Sequence, residues 1–273
     1  GAVRVGVLYN YLPLAGLADN GEVHGYEAAL MRKIAERWGV EVEFVQVTRQ
    51  TRLPMLNSGE VDLLAAAVPH TRDMELSVEF SNTTFLGGYA VMVRSDTAEQ
   101  GLALLTNGAI GAVGQDSADV VIAYAEQEGF EPAVQVFGQD EEAAQALADV
   151  RVNSVIGRRE QLMLHAQSEG MDLLSEYIRE EPYAFAVRRG DVALRDLLDL
   201  TLQDIIAAGE LGAIFSTAFY GQPADVFPER LGEPSFTFEN FPAELSDAPA
   251  VIDRIREGAA LRVAGLQLAE QYG

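Results

Sequence analysis

The chain holds its positive charge almost entirely as arginine: Lys33 is the single lysine. Guanidinium forks grip carboxylates through two parallel hydrogen bonds, whereas an ammonium acts as a point charge. The three histidines (His24, His70 and His165) are scattered, a pattern that argues against a histidine metal site. His24 sits in a glycine-bounded turn and is expected at the surface, as is His165 on a predicted helix. Zero cysteines exclude disulfides, thiolate metal centres and cysteine nucleophiles. No Gly-x-Ser-x-Gly elbow, His-Glu-x-x-His pair or phosphate-cradling glycine loop occurs. The acidic runs Asp140-Glu141-Glu142 and Glu180-Glu181 fit helix starts or solvated loops. No carboxylate pair is placed for acid–base work, so neither an enzyme nor a bound cofactor or metal is expected.

These side chains need elements to hold them. Residues 3–8 read as a short buried strand. From Tyr26 to Trp38, Leu30, Ile34 and Trp38 recur on one helical face, with Trp38 expected in the core, and Gly39 stops the helix. Val40–Val47 alternates like a strand, residues 51–58 look helical, and Val61–Val68 is an apolar run suited to a buried parallel strand. Such alternation of strands and helices indicates an α/β domain. A second series follows. Strands are expected at Tyr89–Val93, Ile110–Val113, Val134–Val136, Val152–Ile156 and Tyr183–Val187. Helices are expected at Ser117–Gly129, Glu141–Ala148, Arg159–Glu169, Asp191–Ala208 and Leu211–Phe219.

With 273 residues, 48% of them hydrophobic, the chain can bury two domain cores or one large one. It contains no apolar run of about 18 residues, the length that marks a membrane-spanning helix. A net charge of −23 argues against nucleic acid and anionic membrane surfaces as partners. The opening, Gly1 to Val7, lacks the parts of a signal peptide; an exported protein would carry that signal elsewhere. Residues 222–273, rich in Pro, Phe and Glu, read as a linker or C-terminal extension. There Leu261-Arg262-Val263-Ala264-Gly265 echoes Val3-Arg4-Val5-Gly6-Val7, so this stretch is either a terminal helix and strand or the start of a second similar domain.

Four stretches in order resemble the type II periplasmic solute-binding proteins for polar amino acids. They are Val5-Gly6-Val7 with Tyr11-Leu12-Pro13-Leu14; Gly25-Tyr26-Glu27 with Ile34 to Gly39; Arg52 to Leu56 with Ser58 to Asp62; and Val78-Glu79-Phe80-Ser81. The close, Pro182-Tyr183, Ala186 to Asp191, Gly209-Glu210-Leu211 and Phe219-Tyr220-Gly221, fits the same family. The resemblance implies a two-lobed α/β Venus flytrap with two hinge crossings, near Gly87-Gly88-Tyr89 and Glu181-Pro182-Tyr183. Lobe one would be 1–87 plus 187–221, and lobe two 91–182. A ligand would sit in the cleft, and closure would be the functional motion.

The family's usual zwitterion clamp is altered in this sequence. Its Ser/Thr and Arg for the ligand carboxylate fall at Pro69 and Met74, with His70, Thr71 and Arg72 beside them. Its acidic partner for the ammonium falls at Gly157 or Arg158, and no acid follows until Glu160. Its glycine-threonine loop is replaced by Gly114-Gln115-Asp116-Ser117, its aromatic by Arg49, and its phenylalanine after Tyr11 by Leu14. The ligand-binding residues expected from the resemblance are therefore Tyr11, Leu14, Arg49, His70, Thr71, Arg72, Phe85, Gln115, Asp116, Ser117 and Arg158. Two readings stay open. In one, Arg49, Arg72 and Arg158 line a pocket for an amino acid, a related carboxylate or another anion. In the other, the cleft is degenerate and serves as a partner-binding module. For each arginine the alternative is a solvated surface charge.

The expected function is extracytoplasmic binding of a small polar solute by a monomer, periplasmic or extracellular, for delivery to an ABC transporter permease. The alternative is a sensing ectodomain linked in cis to a membrane receptor. A dehydratase-like enzyme on the same fold is the third reading.

Overall fold

The structure, a computed structural model, describes residues 1–166 and 170–220. The extension at 222–273 and the final residues of the helix expected over Arg159–Glu169 lie outside the described residues.

The first half of the chain forms β1 (Ala2–Leu8), β2 (Asn10–Tyr11), β3 (Ala15–Leu17), β4 (Val23–His24), α1 (Tyr26–Trp38), β5 (Glu41–Val47), α2 (Arg52–Ser58), β6 (Leu63–Pro69) and α3 (Arg72–Glu75). Next come β7 (Val78–Arg94), a 3-10 run over Ser95–Thr106, β8 (Ala109–Val113), α4 (Gly114–Glu128), β9 (Ala133–Phe137), α5 (Asp140–Ala148), β10 (Ser154–Arg158) and α6 (Arg159–His165). The last elements are β11 (Met171–Arg188), α7 (Val192–Ala207) and α8 (Glu210–Ala218).

The burial pattern explains the local choices. In α1, Leu30, Met31 and Ile34 face the core, and Gly39 closes the helix in the left-handed conformation, its N–H reaching the carbonyls of Ala35 and Glu36. Every residue of β6 from Leu63 to Val68 is buried, as suits a central strand. Trp38, expected in the core, is instead half-buried at its rim, because its indole N–H donates to the Thr201 hydroxyl at 2.9 Å.

Eight strands form one sheet in the order β5-β1-β6-β11-β7-β10-β8-β9, and β2, β3 and β4 form a small sheet beside it. Two lobes share the large sheet through β7 and β11. A strand of 17 residues extends about 55 Å when straight, enough to run through both lobes. Only Tyr89–Val93 and Tyr183–Val187 of these strands stand out by apolar pattern. The rest carries Glu79, Asn82, Glu176 and Arg179, which the pleat sends to solvent or to the cleft.

Strand direction then places the functional edge. β11 is antiparallel to both β6 and β7, so β6 and β7 run the same way. β10 is antiparallel to β7 and parallel to β8. The parallel strands of the two lobes therefore run in opposite senses along the hinge, and their carboxyl ends face each other. Open α/β sheets bind ligands at carboxyl ends of strands.

The core of the first lobe ends in an aromatic stack. Phe219 lies 4.3 Å from Phe215 and 5.3 Å from Phe85, and Tyr26 meets Phe85, Phe215 and Phe219 edge-on or tilted. α8 is thereby drawn back onto α1 and the hinge strand.

Glu27, on α1, is buried beneath this core. It accepts the Ala67 N–H at 2.9 Å. Ala67 has φ +45, a left-handed conformation rare for a residue with a side chain. Arg52 Nη1 donates to the Ala66 and Ala67 carbonyls at 2.8 and 3.1 Å. Glu27 and Arg52 together pin this strained turn of backbone just before the carboxyl end of β6. Burial pushes the Glu27 carboxyl up to about 7, while the Ala67 N–H and Arg52 pull it back.

Two outcomes follow for stability. From an ordinary value of 4.5 to about 7, folded Glu27 keeps a proton that the unfolded chain releases. Stability from this group is complete below the lower value and lost as pH rises through the upper, on the order of 3 kcal/mol in all. Glu27→Gln should flatten that fall when chemical denaturation is followed from pH 5 to 8; an unchanged slope would assign the titration to other groups. At the hinge, Gly88 has φ +128, and a Cβ there would stand 2.2 Å from the Arg179 carbonyl oxygen. Gly88→Ala should cost at least about 1–3 kcal/mol in urea unfolding; a neutral result would mean that the hinge relaxes freely.

Candidate functional site

Each carboxyl end at the inter-lobe edge delivers a side chain expected from the sequence. β1 leads to Tyr11, β5 to Arg49, β6 to His70, Thr71 and Arg72, β8 to Gln115, Asp116 and Ser117, and β10 to Arg158. The structure brings Tyr11, Arg49 and Arg158 into one network, whose centre is a residue absent from the expected set, Glu160.

Glu160 lies on α6 with no exposed surface. Its Oε1 accepts a hydrogen bond from the Tyr11 hydroxyl at 2.6 Å and from the Tyr183 hydroxyl at 2.9 Å. Tyr11 belongs to the first lobe, Tyr183 to hinge strand β11 and Glu160 to the second lobe. One carboxyl oxygen thus ties three parts of the fold together. Its other oxygen, Oε2, is buried and meets no hydrogen-bond partner among the described residues. Burial pushes the Glu160 carboxyl up, against the pull of Tyr11, its own backbone N–H, Arg158 and Tyr183. Burial, then Glu160, pushes both tyrosine hydroxyls well above their usual value, so they remain donors.

Arg158 extends the network. Its Nη1 donates to the Tyr183 hydroxyl at 3.3 Å and forms an ion pair with Glu181. Burial alone would lower its pKa; the electrostatic pull of Tyr183 and Glu181 raises it instead. Arg158, expected to line the cleft, is thus paired with Glu181. The guanidinium carbon also lies 4.1 Å from the Tyr89 ring centroid, and that of Arg179 lies 4.7 Å away. On the first-lobe side, Arg49 sits over the Tyr11 ring at 5.1 Å. It is exposed and makes no ion pair with a carboxylate among the described residues.

Other expected residues fall elsewhere. Leu14 has no exposed surface, because its N–H and C=O tie it into the turn between Tyr11 and Glu27. Phe85 is 1% exposed, stacked between Phe219 and Tyr183. Both are corrected from cleft to core: Leu14 packs in the first lobe, and Phe85 backs Tyr183. Ser117 is buried, and its hydroxyl donates to the Val113 carbonyl at 2.6 Å, so it braces the start of α4. Gln115 is exposed and donates to Asp119 at 2.8 Å, and Asp116 is exposed beside it. His70 is buried, stacked 4.3 Å from Phe80, and shares a 2.8 Å hydrogen bond with Glu75. Its backbone N–H donates to the Pro182 carbonyl, which joins the end of β6 to the hinge. Thr71 is exposed at the start of α3, and Arg72 is half-buried after it. His165, expected at the surface, is half-buried because it bonds Asp140 at 2.9 Å.

Tyr89, Glu181 and Tyr183 were expected at the hinge crossings but not among the ligand-binding residues, and Glu160 was not expected there either. Glu160 does carry one signal: it is the first acid after β10. Helical geometry then turns it back toward Tyr11.

Comparisons with known proteins bear on the family and the fold. Residues 3–220 match the bacterial extracellular solute-binding proteins, family 3. The ABC transporter glutamine-binding protein GlnH of Bacillus subtilis (strain 168) is 24% identical over 213 residues, covering 76% of this chain and 77% of that protein. An ancestral arginine-binding protein solved with arginine bound is 27% identical, with a TM-score of 0.59, over 80% of this chain and 98% of that one. The L-cystine solute receptor of Neisseria gonorrhoeae, in its unliganded open conformation, is 16% identical with a TM-score of 0.70, over 83% of this chain and 95% of that one, and so shares the fold. With two lobes, two crossings and a polar network where the carboxyl edges meet, this chain belongs to the bacterial extracellular solute-binding proteins of family 3.

Proposed function

We infer that the protein reversibly binds a small amino acid between its lobes, outside the cytoplasm, and hands it to an ABC-type permease. The reading rests on Glu160. A buried carboxyl oxygen without a partner costs free energy that a cationic donor recovers. The α-ammonium of an amino acid is such a donor. Arg49, exposed at the end of β5 and unpaired with any carboxylate among the described residues, suits the α-carboxylate from the facing lobe. Thr71 and Arg72 after β6, and Gln115 and Asp116 at the start of α4, flank these two groups as further contacts.

The names printed for the relatives support an amino acid as ligand, since one binds glutamine and one was solved with arginine. Within this reading Tyr11 and Tyr183 have a second task. They hold the Glu160 carboxyl in one orientation before a ligand arrives, which lowers the ordering cost of binding. No turnover is assigned, because Glu160 is held as an acceptor by two phenols that stay protonated.

Differential scanning fluorimetry of the full chain against the twenty amino acids tests the reading. A ligand at about 100 times its dissociation constant adds roughly 2.7 kcal/mol, a shift of about 5 °C or more for a domain of this size. Glu160→Gln keeps an oxygen for both tyrosines but loses the charge, and should weaken binding at least about tenfold by calorimetry. The reading fails if no amino acid shifts the transition, or if Glu160→Gln binds as tightly as the parent.

A further inference from the structure

Two guanidiniums in the hinge share one carboxylate and one ring. Glu181 pairs through Oε2 with Arg158, and its Oε1 accepts from Arg179 Nε at 3.0 Å and Nη2 at 2.6 Å. Both guanidiniums lie over Tyr89. One carboxylate offsets one of these charges and leaves the other. The excess persists across the connected network: Arg49, Arg52, Arg158 and Arg179 stand against Glu27, Glu160 and Glu181. Asp116 also acts on Tyr89, but it is exposed at the start of α4, where water screens it. Arg158 and Arg179 thus outnumber the carboxylate they share, in a chain of net charge −23.

The donors are also available. Among the described residues, Arg158 donates through Nη1 alone, leaving Nε and Nη2 for an incoming oxyanion. Its side chain is 14% exposed, so the fork is largely desolvated but still reachable. A planar fork of this kind matches a carboxylate with two parallel bonds.

We propose that Arg158 and Arg179, set on Tyr89 and joined by Glu181, form the subsite for an anionic side chain, so that the preferred ligand is an acidic amino acid. This rests on the zwitterion reading above. The ammonium goes to Glu160, the α-carboxylate to Arg49, and the third charged group to the two guanidiniums. Glu181 fixes both forks in place and keeps them from repelling each other apart.

The comparison of an acid with its own amide isolates the third charge, because the two differ little in shape. Calorimetric titration of the full chain would use glutamate, aspartate, glutamine, asparagine, arginine and glutarate. The acid of at least one pair should bind about tenfold or more tightly than its amide. Arg179→Gln, a change at a half-exposed side chain, should shrink that ratio below about threefold, with thermal unfolding confirming that the variant is folded. An amide that binds as tightly as its acid overturns the subsite and leaves the amino acid reading standing, as does binding of arginine alone. A ratio unchanged in Arg179→Gln also overturns the subsite. Glutarate, which lacks the ammonium, should bind far more weakly than glutamate. Should it match glutamate, the anion subsite stands and the zwitterion reading falls. No binding by any probe overturns both.

Discussion

Taking a carboxyl group out of water costs several kcal/mol unless hydrogen bonds replace the solvent. Glu160 has two of them, and both come from distant parts of the chain: Tyr11, just past the first strand, and Tyr183, on the returning hinge strand. The bond to Tyr11 crosses from one lobe to the other. The contact between the lobes therefore runs through this one carboxyl group.

The surrounding structure keeps those partners in reach. Tyr183 is backed by Phe85, which is stacked on Phe219 and so on the last described helix. The end of β6 is tied to the hinge through the His70 N–H and the Pro182 carbonyl. Behind it Ala67 is held in a strained conformation by a buried carboxylate and a guanidinium. Polar atoms inside the first lobe thus fix the edge from which the ligand-facing loops depart. Such networks rigidify only when nearly every member is satisfied, and among the described residues Glu160 Oε2, Arg52 Nε and His70 Nδ1 are the members of this one without a hydrogen-bond partner.

Much of the fold was legible because it rests on periodicity and punctuation. Leu30 and Ile34 mark the core face of α1, and Gly39 its end. The family resemblance carried the two-lobed arrangement. The long hinge strands were legible only in their apolar parts, because Glu176, Arg179 and Glu181 interrupt the pattern with exposed or half-buried charges. The site was harder. Leu14 and Phe85 occupy positions that suggest a cleft, but one-dimensional spacing does not distinguish facing a ligand from backing a residue that does. The partner of Arg158 was invisible in the sequence, because Glu181 lies 23 residues away and on a strand separated from it by β7. Glu160 was visible as the next acid along, but its partners depend on how α6 leaves β10.

The second lobe is a continuous insertion, entered along β7 and left along β11. The first lobe closes only when α7 and α8 return to α1 and the hinge, as in the contact of Tyr26 with Phe215. Loop-closure entropy therefore falls unequally on the two halves. The insertion pairs Val93 with Ser154 and Asp172, whereas the outer lobe must bring together segments from opposite ends of the described chain, such as Tyr26 and Phe215. The larger loop-closure cost therefore belongs to the lobe that contains the first strand.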